Sequence, residues 1–122
     1  MHDLKDTLKR AGNRFLQELL QANTTALEEL LSDSFRAEGF LQGEWQCWDK
    51  ATYLQRVAVQ IPMMKEQSPT AKIEKAHLSA DMGFVESQLS WDAGCFYDRL
   101  LWVRQGEKWQ LQHKIFEFRD VG

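Results

Sequence analysis

Hydrophobic residues in the first part of the chain recur at three- and four-residue spacing, which is the period of an amphipathic helix. The pattern runs from residue 3 to residue 22 and places its apolar side chains on one face of that helix. The residues of this stripe are Leu4, Leu8, Ala11, Phe15 and Leu19, with Leu16 and Leu20 beside them. A helix at the N-terminus with one buried face is therefore predicted.

Two more helices and one strand follow before residue 63. Thr25 and Glu28 have the spacing of a capping box and predict the start of a short second helix. Residues 35–40 are apolar enough for a short strand that glycines end. Asp49 is placed to cap a third helix, whose apolar positions continue to Pro62.

The second half of the chain changes to the pattern of strands. Four runs rich in branched and aromatic residues are separated by short turns that contain Gly or Asp. The runs are residues 72–79, 83–91, 95–104 and 108–118, and the charged and turn-forming segment 63–69 precedes them as a loop. Long runs joined by short turns predict an antiparallel meander, and strands grouped after helices indicate an α+β protein.

Composition narrows the class of protein. The chain has 122 residues, of which 43% are hydrophobic and 27% charged, so we expect one globular domain over residues 1–122. Its formal net charge of −3 argues against a nucleic-acid partner. Charged residues interrupt the N-terminus, and no stretch reaches the roughly 18 apolar residues of a membrane span, so we expect a cytoplasmic protein without membrane contact.

The usual motifs of cofactor and metal chemistry are missing from the sequence. Cys47 and Cys95 are far apart and lack the companion ligands of a zinc site, which predicts two reduced thiols and no bound metal. The glycine-rich nucleotide loops, the serine-hydrolase elbow and the metalloprotease helix motif have no match, so no cofactor is expected.

The C-terminal hairpin carries a resemblance to a known family. Its pattern is an aromatic–Asp strand over residues 96–104, a Gly turn with a Trp strand over 106–111, and the segment 114–116. This pattern resembles the nuclear transport factor 2-like superfamily, which includes ketosteroid isomerase, scytalone dehydratase and the SnoaL-like polyketide cyclases, and above all its lumazine-binding-like branch. The resemblance implies a cone-shaped fold in which three N-terminal helices pack on a strongly bent, mainly antiparallel sheet. It also implies a pocket between helices and sheet, and a convex sheet side that often pairs two subunits.

The two faces of this hairpin differ in polarity. A two-residue loop at 106–107 places Arg99 opposite Lys114, Leu101 opposite Gln112, and Tyr97 opposite Phe116 on a mixed face. The other, mostly apolar face carries Phe96, Asp98, Leu100, Trp102, Trp109, Leu111, His113 and Ile115. Alternation alone permits the apolar face to pack against the helices. The resemblance favours the reverse assignment.

In that reverse assignment, the ligand-binding residues are Tyr97, Arg99, Gln112 and Lys114, together with Tyr53 and Phe15 from the helices. The Trp102 and Trp109 face is then buried in a homodimer, because an exposed apolar face with two indoles would aggregate. The expected ligand is a small polar-aromatic or anionic molecule that meets the cations Arg99 and Lys114 and stacks on Tyr53 or Tyr97.

The resemblance also suggests one catalytic residue. Glu38 lies where ketosteroid isomerase has its general base, but Phe15 and Arg99 stand where that enzyme has its oxyanion-hole tyrosine and protonated aspartate. Steroid-type isomerisation is therefore disfavoured.

Three functions stay open at this stage. The first is a small-molecule-binding domain, the second a SnoaL-like isomerase, dehydratase or cyclase that uses Glu38 as acid or base, and the third a dimeric interaction module. A polar cavity of about 300 Å³ or more would favour binding or catalysis, whereas a core filled by aromatic side chains would favour interaction.

Overall fold

Three helices and a six-stranded sheet make up residues 3–120, the part of the chain that the computed structural model describes; the outermost two residues at each end of the predicted domain lie outside it. The helices are α1 (Leu4–Leu20), α2 (Thr24–Leu30) and α3 (Lys50–Met64). The strands are β1 (Leu31–Leu41), β2 (Glu44–Asp49), β3 (Thr70–Ser79), β4 (Met82–Trp91), β5 (Gly94–Gln105) and β6 (Lys108–Asp120). The predicted α+β class with three helices on a curved, mainly antiparallel sheet is confirmed. Within residues 3–120, none of the helices has the length and apolar character needed to cross a membrane.

Polar side chains set the starts of the helices. The Asp49 side chain accepts a hydrogen bond from the Thr52 amide at 2.9 Å, so the predicted cap of α3 is confirmed. For α2 the capping prediction was wrong, because Asn23, and not Thr25, lies at the N-cap and accepts from the Ala26 amide at 3.2 Å. An N-cap side chain normally bonds to an amide two or three residues later, and Asn23 satisfies that spacing.

The sheet has the strand order β2-β1-β6-β5-β4-β3, with β1 and β6 parallel and the other neighbours antiparallel. Strand β2 is an element that the sequence pattern did not predict. It pairs with β1 across a turn in which Gln42 and Gly43 both have positive φ angles. Since β2 is a six-residue edge strand with mostly exposed side chains, it lacks the apolar alternation by which strands are identified.

An extra residue in β6 changes the register of the C-terminal hairpin. Near the loop the strands pair regularly, and Trp102 lies opposite Leu111. The next pair is Leu101 with His113, so Gln112 has no partner on β5 and forms a β-bulge. The side chain of Gln112 explains why the bulge is favourable here. Its Oε1 accepts from the Ser32 hydroxyl at 2.9 Å and its Nε2 donates to the Ser34 hydroxyl at 2.8 Å, both on β1.

The bulge exchanges the faces of β6 beyond Gln112. We call the sheet face that the helices cover the inner face, and the opposite one the outer face. Lys114 and Phe116 are buried on the inner face, whereas His113 and Ile115 lie on the outer face. The pairing predicted for a regular hairpin was therefore wrong by one residue beyond Gln112. A shift of one residue moves every later side chain to the other face of the sheet.

The two hairpin tryptophans lie in the core beneath α1. Trp102 is fully buried and meets the edge of the Phe15 ring at a centroid distance of 6.2 Å. Trp109 is 6% exposed, and its Nε1 donates to the Thr7 hydroxyl at 2.9 Å. The prediction that these indoles form a homodimer interface is thus wrong, because α1 of the same chain already covers them. Of the two assignments left open by the sequence, the one that packs the apolar face against the helices is correct as far as Leu111; beyond the bulge His113 and Ile115 lie on the outer face instead.

The close approach of β1 and β6 can be tested at Gly39. A Cβ atom on Gly39 would overlap the carbonyl oxygen of Phe116, which is backbone and cannot rotate away. We expect Gly39→Ala to lower the free energy of unfolding by about 3 kcal/mol, measured by urea denaturation. Gly106→Ala is the control, since Gly106 has φ +65° with open space around it, and should cost only about 1 kcal/mol. Equal losses in the two variants would contradict this packing.

Candidate functional site

A polar cluster lies buried between the inner face of the sheet and α3. Its centre is Lys114, which is 7% exposed and whose Nζ donates a hydrogen bond to the Tyr53 hydroxyl at 3.0 Å. The carboxylate of Asp98, which is 2% exposed, lies 3.5 Å from the same Nζ. We call Tyr53, Asp98 and Lys114 the inner cluster.

Each member of the inner cluster is placed by a different local feature. Tyr53 occupies the first turn of α3, whose start is fixed by the Asp49 cap. Asp98 lies on the inner face of β5 opposite Phe116. Lys114 reaches the inner face only because the bulge precedes it. The cluster therefore depends on the position of α3 and on the register of β6 together.

Burial sets the protonation of these groups. Burial raises the pKa of Asp98, and the nearby Lys114 ammonium offsets only part of this effect. Burial alone would lower the pKa of Lys114, but the Asp98 carboxylate and the Tyr53 hydroxyl raise it above its ordinary value. Burial also raises the pKa of Tyr53. At neutral pH the cluster thus holds a lysine cation and a protonated phenol, beside a carboxyl group that takes up a proton more readily than an exposed one.

Several buried groups at this site have unused hydrogen-bonding capacity. Neither carboxylate oxygen of Asp98 has a hydrogen-bond donor in residues 3–120, since its contact with Lys114 has the length of an ion pair without hydrogen-bond geometry. The hydroxyl of Ser87, which is opposite Asp98 on β4, is also buried without a partner. Buried polar groups are nearly always hydrogen-bonded in proteins, so this concentration of exceptions calls for an explanation.

An aromatic wall borders the inner cluster. Trp48 of β2 stacks on Phe116 with a centroid distance of 5.0 Å and an interplanar angle of 21°. The Arg56 guanidinium of α3 lies 4.0 Å from the centre of the Trp48 ring, and its Nε is buried with no hydrogen-bond partner in the described part of the chain. The hollow between this wall and the cluster has a volume of only about 50 Å³, room for one or two water molecules.

Three of the predicted ligand-binding residues come together at this site. Lys114 Nζ lies 5.0 Å from the centre of the Tyr53 ring and 5.9 Å from the centre of the Phe15 ring. Phe15 and Tyr53 were predicted from the family resemblance. In the structure Tyr53 belongs to the inner cluster and Phe15 lies beside it.

The other predicted ligand-binding residues lie elsewhere. Arg99 is on the outer face with its side chain 62% exposed, 3.8 Å from Glu86. Tyr97 is on the outer face too, with the Arg119 guanidinium 4.2 Å from its ring. Gln112 is used by the bulge. The prediction that these three residues line a pocket between helices and sheet was wrong. A regular hairpin would put Arg99 and Lys114 on one face, but in the structure Asp98 is the residue of β5 that points inward beside Lys114.

Glu38, the predicted acid or base, also lies on the outer face. Its carboxylate is 3.4 Å from His113 Nε2 and accepts a hydrogen bond from the Cys47 thiol at 3.3 Å. The sheet separates it from the hollow of the inner site, so it cannot exchange protons with a molecule bound there. The sequence analysis placed Asp98 and His113 on one face of the hairpin, but the bulge puts them on opposite faces of the sheet. No set of three His, Cys, Asp or Glu side chains in residues 3–120 could hold a metal ion.

The outer face carries a second, larger hollow of about 400 Å³. Its floor is apolar and includes Phe84, Leu101 and Ile115, with Arg99 and His113 among its borders. Phe84 is 44% exposed and Ile115 36% exposed, which is unusual for large apolar side chains.

The sequence pattern missed Asp98, Ser87 and Arg56 as site residues. One signal was present: Asp98 is an isolated acid in a run of apolar and aromatic residues, at the same parity as the buried Leu100 and Trp102. An ionisable residue at an inward position is a candidate for a functional site. Ser87 and Arg56 carry no comparable signal.

Comparison with known proteins places this fold in a family. The profile of the family described as "Putative lumazine-binding" matches residues 4–117. No curated protein matches the chain.

Solved structures with the same fold share little sequence with it. An NTF-2 like protein of unknown function from Silicibacter pomeroyi is 16% identical, with a TM-score of 0.82 over 93% of this chain and 94% of that one. An NTF2-like protein of unknown function from Shewanella baltica is 11% identical, with a TM-score of 0.81 over 95% and 94%. An NTF2-like protein from Cytophaga hutchinsonii is 12% identical, with a TM-score of 0.76 over 97% and 100%. At these identities the likeness concerns the fold alone. The predicted resemblance is confirmed: the chain has the fold of the NTF2-like proteins and belongs to the putative lumazine-binding family.

Proposed function

We propose that the protein binds a small anionic or polar-aromatic molecule at the inner cluster. The observation that carries the proposal is the buried Lys114–Asp98 ion pair with its unused hydrogen-bonding groups. A buried ion pair is often no more stabilising than apolar residues of the same volume. In a core otherwise built from leucines and aromatic rings, such a pair is better explained by a ligand than by stability.

The small hollow sets how a ligand enters. About 50 Å³ is far below the roughly 300 Å³ of typical ligand pockets. A flat molecule therefore needs one side chain to move, and Arg56 is the one best placed to do so, because it is half-buried and is held mainly by its contact with Trp48. When Arg56 swings outward, the face of Trp48 is free for a flat ring, and the guanidinium can pair with an anionic substituent of that ring.

The charges of the site favour a single negative charge on the ligand. The positive charge of Lys114 and the negative charge of Asp98 nearly cancel, and Arg56 adds one positive charge. An anion bound beside Lys114 comes close to the Asp98 carboxylate as well. Since like charges disfavour ionisation, the bound anion raises the pKa of Asp98 further, and binding takes up a proton.

Binding can be tested with benzenesulfonate and 4-hydroxybenzoate by isothermal titration calorimetry. We expect the double variant Lys114→Met/Asp98→Leu to be about as stable as the natural protein and to lose affinity at least about tenfold. The single variant Lys114→Met should instead lose about 3 kcal/mol of stability, because it leaves the Asp98 charge buried and unpaired.

Arg99→Met is the matched control, since it removes a cation from the outer face only. The proposal fails if the double variant binds both probes as well as the natural protein does, or if Arg99→Met is the variant that loses binding.

The pH dependence of binding gives an independent test. Benzenesulfonate stays ionised throughout the working range, so any proton taken up on binding must be taken up by the protein. Affinity should rise as the pH falls towards the raised pKa of Asp98, and Asp98→Asn should remove this dependence. An affinity that falls at lower pH in the natural protein would contradict the role given to Asp98.

A second candidate function is self-association through the outer face. Phe84 and Ile115 are exposed around the 400 Å³ hollow, and monomers rarely leave such a patch uncovered. Glu86 and Arg99 lie beside the patch as cross-strand neighbours. A face that carries both charges can pair with itself about a two-fold axis. The predicted homodimer is therefore retained as a proposal on the face opposite the tryptophans. The alternative of an enzyme that uses Glu38 as acid or base would likewise need its substrate on this outer face, because Glu38 lies there.

The oligomeric state tests the second candidate. Phe84→Glu should shift the sedimentation coefficient from dimer to monomer, because the new carboxylate would be buried in the interface. Met63→Glu is the control, since Met63 is an exposed apolar residue on α3, away from the sheet, and should leave the mass unchanged. A natural protein that sediments as a monomer at high micromolar concentration would refute this candidate.

A further inference from the structure

A third hollow lies where α1 runs beside the last strand of the sheet. Strand β3 ends the strand order, and among residues 3–120 it pairs only with β4, so that no strand of this part of the chain bonds the backbone groups along its other side. The groove between this free edge and α1 has a volume of about 740 Å³, larger than either hollow described above. We call it the edge groove.

The edge groove is strongly basic. Lys5 and Lys9 line it from α1, one helical turn apart, and Lys72 and Lys75 line it from β3. Among its described lining residues, the one carboxylate is Glu74, which lies 3.1 Å from Lys72. A chain with a net charge of −3 thus concentrates four lysines around one sheet edge.

The lysines flank the edge from two sides. Lys72 and Lys75 of β3 are exposed on the outer face, away from the half-buried Ile73. Residues three apart share this face because the pairing of β3 with β4 shifts register between Ile73 and Lys75. Lys5 and Lys9 belong to α1, the helix that covers the inner face of β3. A strand laid along this edge would therefore have cations beside its side chains on both faces.

We propose that the edge groove binds an extended acidic peptide, which adds to the sheet beside β3. The unpaired amides and carbonyls of β3 match a peptide backbone, whereas a nucleic acid could use only the lysines. A second copy of this chain does not fit, because its own β3 would bring a second set of lysines to the same edge. Lysines on an edge strand commonly prevent such self-pairing, and the same charges attract an acidic strand.

The length of the added strand is limited by a second bulge. The pairing of β3 with β4 shifts register between Ile73 and Lys75, which bends the strand at Glu74. Regular pairing then has room for about five residues on the C-terminal side, from Lys75 to Ser79. So short a contact, with exposed charge pairs, gives weak binding that depends strongly on salt.

Fluorescence anisotropy can test this proposal. The probe is a fluorescein-labelled eight-residue peptide of alternating glutamate and threonine. We expect saturable binding at low salt that weakens steeply as the ionic strength rises. A control peptide of the same length has four consecutive prolines between two pairs of glutamates. It keeps the charge but removes backbone N–H donors from both sides of the strand, and should bind about tenfold or more weakly.

Charge reversal on the protein identifies the groove. Lys5→Glu with Lys9→Glu, and separately Lys72→Glu with Lys75→Glu, should each weaken binding of the threonine peptide at least about tenfold. Lys65→Glu with Lys108→Glu, which lie outside the groove, is the matched control and should bind as the natural protein does. Unchanged thermal melting of each variant shows that the fold is kept; for a variant that melts early, Lys→Gln replacements at the same positions are measured instead.

Three results would overturn the proposal. They are equal affinity for the threonine and proline peptides, equal or tighter binding of a ten-nucleotide oligothymidylate, and undiminished binding by both groove variants. Absence of binding to the threonine peptide at millimolar concentration counts in the same way. None of these results bears on the inner cluster, which lies on a different part of the inner face.

Discussion

The bulge at Gln112 is the constraint on which the rest of this structure depends. Before it, β6 must bury Trp109 and Leu111 on the inner face; after it, the strand must bury Lys114 and Phe116 on that same face. Since the side chains of a strand alternate strictly, no regular β6 can meet both demands, and one extra residue is required. Two hydrogen bonds of the Gln112 side chain, one accepted from Ser32 and one donated to Ser34, offset the lost pairing with β5. They also tie β6 to β1, its parallel neighbour.

Much of the fold could be predicted from the period of the hydrophobic residues, but the two faces could not. The periodicity found three helices and the four-strand meander, whereas the edge strand β2 lacks the apolar alternation that marks a strand. Alternation in the hairpin identified the apolar face correctly up to Leu111, failed at His113 and Ile115 beyond the bulge, and left open where that face points. The resemblance favoured the wrong answer, because a family property was carried to residues that here have a different register.

The outcome for Lys114 shows how a prediction can reach the right place by an incorrect route. It was placed in the pocket as the regular cross-strand partner of Arg99, but it lies there because the bulge separates it from that partner. The buried ion pair is instead with Asp98, one residue earlier on β5. A bulge depends on side-chain contacts between strands far apart in sequence, such as Gln112 with Ser34. Such contacts leave no periodic signal in a single sequence.

The inner site illustrates a conflict between packing and function within one core. The aromatic rings around it fill the interior so well that only about 50 Å³ remains, which taken alone favours an interaction module. Yet filling the same volume with leucine in place of Asp98 and Lys114 would remove two charges that are costly to bury. A core selected only for stability has no reason to keep an unpaired serine hydroxyl beside a carboxylate without donors. The polar atoms, more than the volume, therefore support the proposed ligand, and the small volume means that such a ligand enters only when a side chain moves. Arg56 meets this requirement because a cation over the face of a half-buried indole is held by only about 1–2 kcal/mol, which is little enough for a bound anion to displace it.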